Sequence, residues 1–275
     1  MSEKTRVGIA GYGWVGKSMH KLFPDAVVYD KLNPFYIGWQ SKLSAKPQQR
    51  AIGMEDVNKT DICFICVPSP CPDKGALDTS IVEEVVKECK CPLIVVRSTV
   101  NPGDCDRWEK KYKKNIIFVP EYLGETPRHP LLDEKAIPFI IIGGKPENCR
   151  KLIELYTTVY NANVTIRQMT LLEAEIVKLS ENRAIAFKVM QMHELYKVCE
   201  KAGVDYYKIR DAVYGDDPRF TLWFTFIFKD NLGFQSSKCL KKDVPAWVAW
   251  AKDIGYKADI TALLVRKSEE YEKDR

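Results

Sequence analysis

In the stretch "SSKCLKKDVPAW", Cys239 stands among Lys238, Lys241 and Lys242, with Asp243 four residues on. If "CLKKDVPAW" begins a helix, the thiol lies near a helix amino terminus, and both that terminus and the lysines favour the reactive thiolate. Such a thiol is either an activated nucleophile or an inert one, the ordinary fate of a cysteine. Lys178 and Asn182 in "KLSEN" are also four apart, so on a helix they share a face. An ammonium and an amide there could both serve a developing oxyanion, or form an exposed polar stripe. Glu121 and Glu125 in "FVPEYLGET" could enter one cleft as an acid and a base, or remain solvated loop acids. Ser98 and Thr99 in "RSTVNPGD" follow a strand at its carboxyl end, the side on which open α/β sheets bind ligands.

A fifth feature points to a cofactor. "VGIAGYGWVGKSMHKLF" sets Gly11, Gly13 and Gly16 in a GxGxxG between a strand and a helix. The spacing serves a tight turn, close approach to a pyrophosphate and close helix–strand packing, with the helix amino terminus offering N–H groups to the phosphate. Asp30 closes "AVVYD" 19 residues after Gly11, where a carboxylate can accept from a ribose 2′-hydroxyl. The acid favours NAD over NADP, whose 2′-phosphate would meet a like charge, although Lys31 is adjacent.

These residues need a scaffold, and the composition is that of a globular protein: 275 residues, 45% hydrophobic and 29% charged. No run approaches the roughly 18 apolar residues of a membrane span, and the amino terminus does not read as a signal peptide, so a cytoplasmic protein is expected. A net charge of +5 with interspersed signs gives no nucleic-acid footprint. The nine cysteines are odd in number and scattered, as in a reducing compartment. Cys63 and Cys66 in "DICFICVP" fall on opposite faces of a buried strand, and no second pair or histidine stands at ligand spacing, so no metal site is expected.

The first half alternates apolar runs ("RVGIAG", "AVVYD", "DICFICVP", "PLIVVRSTV", "NIIFVPEYL", "FIIIGG", "NVTIRQM") with helix-like stretches. That pattern predicts an α/β fold, a Rossmann-type doubly wound parallel sheet over residues 1–167. Residues 168–275 then read as an all-helical domain. Its spine is one long central helix over Thr170–Ala202, which holds neither Gly nor Pro and ends at Gly203. Helical stretches follow at "YYKIRDAVY", "DVPAWVAWAKDIG" and "ITALLVRKSEEYEKDR".

Taken in order, the motifs resemble the UDP-glucose/GDP-mannose dehydrogenase family, NAD-dependent enzymes that oxidise a nucleotide sugar's primary alcohol to a carboxylate. The set comprises GxGxxG with Asp30, "VPSP" at 67–70 with "ALD" after it, "STV" at 98–100, "PEYLGE" at 120–125, KxxxN at 178–182 and CxxKD at 239–243. The resemblance implies that Cys239 attacks an aldehyde to give a thiohemiacetal and then a thioester, with Lys178 and Asn182 stabilising the oxyanion and Asp243 with a water as base. It implies that Glu121 supports thioester hydrolysis, helped by a water near Thr99, that Glu125 and Lys242 lie near the sugar, and that Arg219 reaches substrate across a dimer interface. It makes Gly11, Tyr12, Gly13, Trp14, Val15, Gly16, Asp30, Val67, Pro68, Ser98, Thr99 and Glu125 the cofactor contacts. A homodimer through the central helix, without nucleic acid or membrane partners, is expected on the same ground.

The chain departs from the family pattern in three places. "GFQSSKC" stands where family members usually have GFGGxC, so Gln235, Ser236 and Ser237 occupy a place where glycine lets the backbone approach the sugar. Phe139 stands where an arginine is frequent. Family enzymes continue into a third, nucleotide-binding domain, and this chain is expected to lack it. Two alternatives stay open: a β-hydroxyacid-type dehydrogenase, which needs no thiol, and a non-catalytic NAD- or sugar-nucleotide-binding subunit. Of the histidines, His20 and His193 fall on helices and His129 on a loop near the acids, which leaves little room for a histidine-based dehydrogenase.

Overall fold

Strands covered on both faces must be apolar at every position, and Val7–Ala10, Ile62–Ile65 and Leu93–Val96 are buried throughout. The computed structural model describes residues 5–33, 36–37, 50–72, 75–124, 131–228 and 231–273. Its elements begin with β1 (Val7–Ala10), α1 (Trp14–Leu22), β2 (Val27–Tyr29), β3 (Tyr36–Ile37), β4 (Arg50–Ala51), α2 (Met54–Val57) and β5 (Ile62–Ile65). There follow α3 (Ser80–Glu88), β6 (Leu93–Val96), α4 (Asp104–Tyr112), β7 (Ile116–Phe118), β8 (Phe139–Gly144), α5 (Pro146–Tyr156) and β9 (Thr165–Met169). The helices α6 (Leu171–Ala202), α7 (Tyr206–Arg210), α8 (Leu240–Asp253) and α9 (Asp259–Lys273) complete the order. Two compact units result, Met1–Ser69 with Asp78–Lys178, and Pro70–Leu77 with Leu179–Arg275, dividing within α6.

The first unit is a seven-stranded sheet in the order β2-β1-β5-β6-β7-β8-β9. Every neighbouring pair is parallel except β7–β8, which runs antiparallel. The sheet is therefore mostly parallel, as the apolar runs predicted, with one reversal between β7 and β8. A parallel pair needs a crossover, usually a helix. Between β7 and β8 the described residues hold only a 3-10 turn, Glu134–Ala136.

Alternation along the strands sends Ile9, Phe64, Val95 and Ile117 to one face and Ala10, Cys63, Ile65, Ile94 and Val96 to the other. The first face packs α1 and α5 through Met19, Leu22, Leu152 and Tyr156; the second packs α3 and α4 through Val82, Val86, Cys105 and Trp108. Leu171 and Ala174, from the first turn of α6, join this second core, which is why the start of the helix belongs to the sheet unit. Each fully buried aliphatic side chain stabilises the unit by about 1.5–3 kcal/mol.

The long helix has local start and stop signals. Thr170 and Glu173 form a capping box: Glu173 Oε2 accepts from Thr170 N (2.8 Å) and Thr170 Oγ1 from Glu173 N (3.3 Å). Gly203, at φ +71°, ends the helix in the left-handed conformation.

The second unit is helical. Ala186, Met190, Phe234, Leu240, Val244 and Leu264 make one core cluster, and Met192, Cys199, Tyr206, Tyr214 and Ile227 another. His193 is buried on α6, and its Nδ1 accepts from Gly233 N at 2.8 Å. Burial lowers its pKa to about 4. Because this folded-state value is depressed, the associated stability is present above the ordinary histidine range and is lost as pH falls toward 4. His193→Asn keeps an acceptor near Nδ1 but cannot protonate. In urea titrations between pH 6.5 and 4.5 it is expected to lose about 2 kcal/mol less than the wild type; an equal loss would show that His193 is not the acid-sensitive group.

Candidate active site

The strand-to-helix turn after β1 is shaped by its glycines. Gly11 takes φ +95°, and a Cβ there would lie 2.6 Å from the Cys66 carbonyl oxygen. A Cβ on Gly16 would lie 2.0 Å from the Gly11 carbonyl oxygen, so only glycine lets α1 sit this close to β1. Gly13, the N-cap of α1, is different, because among the described residues no atom beyond its chain neighbours lies within 4 Å of its missing Cβ. That open space at a helix amino terminus fits a pyrophosphate. Gly13→Ala is therefore expected to weaken NAD binding at least tenfold by calorimetry while moving unfolding stability by less than about 1 kcal/mol. Gly16→Ala should instead destabilise the unit, and equal effects of the two substitutions on stability would contradict this division of labour.

Asp30 does more than wait for a ribose. Its Oδ2 accepts from Tyr12 N (2.7 Å) within the glycine loop, and its Oδ1 accepts from Leu32 N (2.9 Å) and Asn33 N (2.8 Å). Partial burial works against the charge, but the Tyr12, Asn33 and Leu32 N–H groups outweigh it and hold the carboxyl below the usual range. Trp14 is exposed and Val15 half-buried at the start of α1. Across β5, Val67 O accepts from the buried Ser98 hydroxyl at 2.7 Å, while Pro68 is exposed and Thr99 half-buried.

Beyond β6 and β7 lies a buried ion cluster. Arg97, 2% exposed, donates from Nη2 to Glu121 Oε2 (2.7 Å) and to Glu134 Oε1 (2.9 Å), and Tyr160 donates its hydroxyl to the same Glu134 oxygen (2.7 Å). Burial pushes the Glu134 carboxyl up, against the pull of Arg97. The Glu121 side chain is fixed on both oxygens, since Oε1 also accepts from Leu123 N. The ammonium of the buried Lys178 donates to the Glu121 carbonyl oxygen and lies 5.2 Å from the Tyr122 ring centroid. Arg97 and Glu134 were not among the residues singled out in the sequence, although an arginine closing the apolar run "LIVV" was a visible signal. Glu125 and His129 lie outside the described residues.

In the second unit, Cys239 is the N-cap of α8 and is partly exposed. One turn on, Asp243 is fully buried; Oδ2 accepts from Asn182 Nδ2, and Oδ1 accepts from Lys242 Nζ at 2.8 Å. The fold thus joins Asn182 to Asp243 across 61 residues of sequence. The segment leading to the thiol is anchored from behind: Gly233 takes φ +80° with the Ser268 carbonyl oxygen 2.7 Å from its missing Cβ, and Phe234 N donates to Ser268 Oγ at 2.8 Å. Of "GFQSS", then, Gly233 carries a backbone requirement, and Gln235, Ser236 and Ser237 form the turn into α8. Arg219 stands elsewhere. It is exposed, paired with Asp217 (2.6 Å), and lines a concavity of about 570 Å³ with Phe187, Lys188, Tyr214 and Phe220, to which neither Asn182, Cys239 nor Asp243 contributes.

Cys63 and Cys66 do face opposite sides of the sheet. No second pair or histidine stands at ligand spacing in the sequence, yet the fold brings two further thiols to Cys63: the sulfurs of Cys63, Cys89 and Cys91 all lie within 4.8 Å of one another. Sequence spacing along the CxxC missed them because β5 and β6 are neighbours, and the CxC just ahead of β6 arrives beside Cys63 through strand pairing.

Comparison with known proteins bears on this arrangement. Residues 42–162 match the NAD binding domain of the UDP-glucose/GDP-mannose dehydrogenase family, and residues 172–270 match its central domain. The UDP-glucose 6-dehydrogenase of Pseudomonas aeruginosa is 28% identical over 224 residues, covering 75% of this chain and 48% of that protein. The enzyme of the same name from Rickettsia bellii is 26% identical over 230 residues, covering 78% and 51%. A UDP-glucose dehydrogenase structure from Pyrobaculum islandicum shares the fold with a TM-score of 0.79 at 24% identity, covering 98% of this chain and 69% of that one. The chain spans about half the length of the curated relatives it matches.

Proposed function

Because the chain belongs to the UDP-glucose/GDP-mannose dehydrogenase family, we propose that it oxidises the primary alcohol of a nucleotide sugar, UDP-glucose or a close analogue, to the carboxylate with Cys239 as nucleophile. The cofactor is NAD, and the open cradle at Gly13 beside Asp30 fits its pyrophosphate and ribose. When bound, NAD supplies the electron acceptor for both oxidations.

The chain's own residues would do the following. Cys239 adds its sulfur to the aldehyde carbon, giving a thiohemiacetal, and its proton passes to a water held by Asp243. Lys178 and Asn182, one helical turn apart on α6, stabilise the oxyanion. After the second oxidation the intermediate is a thioester, which water cleaves with Glu121 as the supporting carboxylate and Thr99 positioning the water. Glu125, Lys242 and Arg219 are assigned to substrate, and Val67, Pro68, Ser98, Thr99, Tyr12, Trp14 and Val15 to the cofactor.

The observation that carries this proposal is Cys239 at the N-cap of α8, one turn from a buried carboxylate already held by Asn182 and Lys242. We further propose a cytoplasmic homodimer formed through α6; no described helix is long and apolar enough to cross a membrane.

The test is an NADH assay of the chain against a panel of UDP- and GDP-sugars. Two NADH per sugar supports the proposal, whereas one per substrate fits a hydroxyacid-type dehydrogenase. No turnover despite NAD binding would assign the chain to a binding subunit, the role favoured by Gln235, Ser236 and Ser237 in place of glycines.

A further inference from the structure

The three thiols brought together in the sheet unit belong to none of the chemistry above. Cys63 lies on β5, Cys89 is the C-cap of α3, and Cys91 follows two residues later, just ahead of β6. All three are buried, at 0%, 0% and 6% exposure, and their sulfurs lie within 4.8 Å of one another. Three sulfurs around one ion at about 2.3 Å would stand roughly 4 Å apart in a trigonal plane, so little movement separates this arrangement from a coordination site.

The turn that presents two of the thiols is held on all sides. Asn58 accepts from Lys90 N (2.6 Å) and donates to the Glu88 carbonyl (3.2 Å), Lys114 Nζ donates to the Cys89 carbonyl (2.6 Å), and Asn115 Nδ2 donates to the Pro92 carbonyl (3.1 Å). Thr60 Oγ1 lies 3.4 Å from Cys91 Sγ, adding a light-atom neighbour. Ligands fixed by packing and outer hydrogen bonds are what a metal site requires. Cys91, between the exposed Lys90 and Pro92, is the thiol of the three nearest the surface.

We propose that Cys63, Cys89 and Cys91 form a binding site for a soft, thiophilic metal ion of the Cu+ or Zn2+ class. Soft thiolate sets select such ions over the hard cations that carboxylates bind. On coordination each thiol gives its proton to solvent, with no change of oxidation state, and the ion ties the α3–β6 turn to β5. Because coordination displaces the thiol protons, affinity should rise with pH. The glycine turn follows β1 at its carboxyl end, whereas the CxC precedes β6 at its amino end, so the ion would clamp the sheet rather than join the reaction.

The test uses the full chain carrying Cys71→Ser and Cys239→Ser, which removes the two partly exposed thiols. The reduced protein is titrated with Zn2+, Cu+ and, as a spectroscopic probe, Cd2+, each against a chromophoric chelator. One equivalent should bind, raise the thermal midpoint, and show three sulfur neighbours at about 2.3 Å by X-ray absorption with Zn2+ or Cu+. An added oxygen neighbour would identify Zn2+ as the better fit, and sulfur alone Cu+. Cys91→Ser should lower affinity at least about a hundredfold. Absence of stoichiometric binding, fewer than three sulfurs, or unchanged affinity in Cys91→Ser would overturn the proposal. If Cys91→Ser does not fold, the sulfur count in the parent decides. NADH production plays no part in these readouts, so failure here leaves the dehydrogenase proposal standing, and the reverse.

Discussion

Cys239→Ser is expected to bind NAD like the wild type and to lose carboxylate formation by a factor of about 10³ or more. Cys239 makes no side-chain cap hydrogen bond to α8, and serine is a preferred N-cap residue, so the helix start should survive the substitution. What it cannot do at neutral pH is present an ionised nucleophile, and Asp243, already engaged by Asn182 and Lys242, is no substitute base of the strength a hydroxyl needs. Mass spectrometry of the reaction mixture should show sugar stalled at or before the aldehyde level. Uronate formed by the variant at a rate near wild type would remove Cys239 from the chemistry.

Arg97→Met should have the largest effect on stability. The guanidinium is almost wholly buried and satisfies the carboxylates of Glu121 and Glu134 at once. Removing one partner of a buried ion pair leaves an uncompensated charge, which costs about 3–5 kcal/mol. Burial raises the Glu134 pKa already, and losing Arg97 raises it further. A carboxyl whose folded pKa is raised costs most once it is ionised, so the deficit should be full at pH 7 and shrink as pH falls and Glu134 takes up a proton. Urea unfolding at pH 7 and pH 5 measures both parts. A deficit under about 1 kcal/mol, or one independent of pH, would mean that the cluster is not held by charge.

What the sequence made legible follows how local each constraint is. The GxGxxG turn could be read directly, because Gly16 is required by the Gly11 carbonyl five residues back and Gly11 by its own φ of +95°, both within one strand–turn–helix unit, although the Cys66 carbonyl that also crowds Gly11 comes from the far end of β5. The long helix could be read too, since its capping box and terminal glycine lie at its own ends. The reversal at β8 could not, because "FIIIGG" is equally apolar in either direction and only the helix-poor connection before it reveals the turn. The Arg97–Glu121, Arg97–Glu134 and Asn182–Asp243 contacts were hidden for a related reason: all three join segments 24 to 61 residues apart, and no periodicity records them. Cys89 and Cys91 looked scattered while the order of β5 and β6 was unknown.

Asp30 ties two properties that are usually discussed apart. The carboxylate expected to select the ribose is also the acceptor that stitches the Tyr12 amide of the glycine loop to the turn after β2. The phosphate cradle is therefore ordered before the cofactor arrives, which spares binding some of the entropy of arranging it. Retargeting the chain to a phosphorylated dinucleotide by replacing this one acid would remove a charge clash and, in the same stroke, unfasten the loop. Cofactor identity and loop rigidity cannot be traded separately here, and a successful switch would need a second residue to take over the Tyr12 amide.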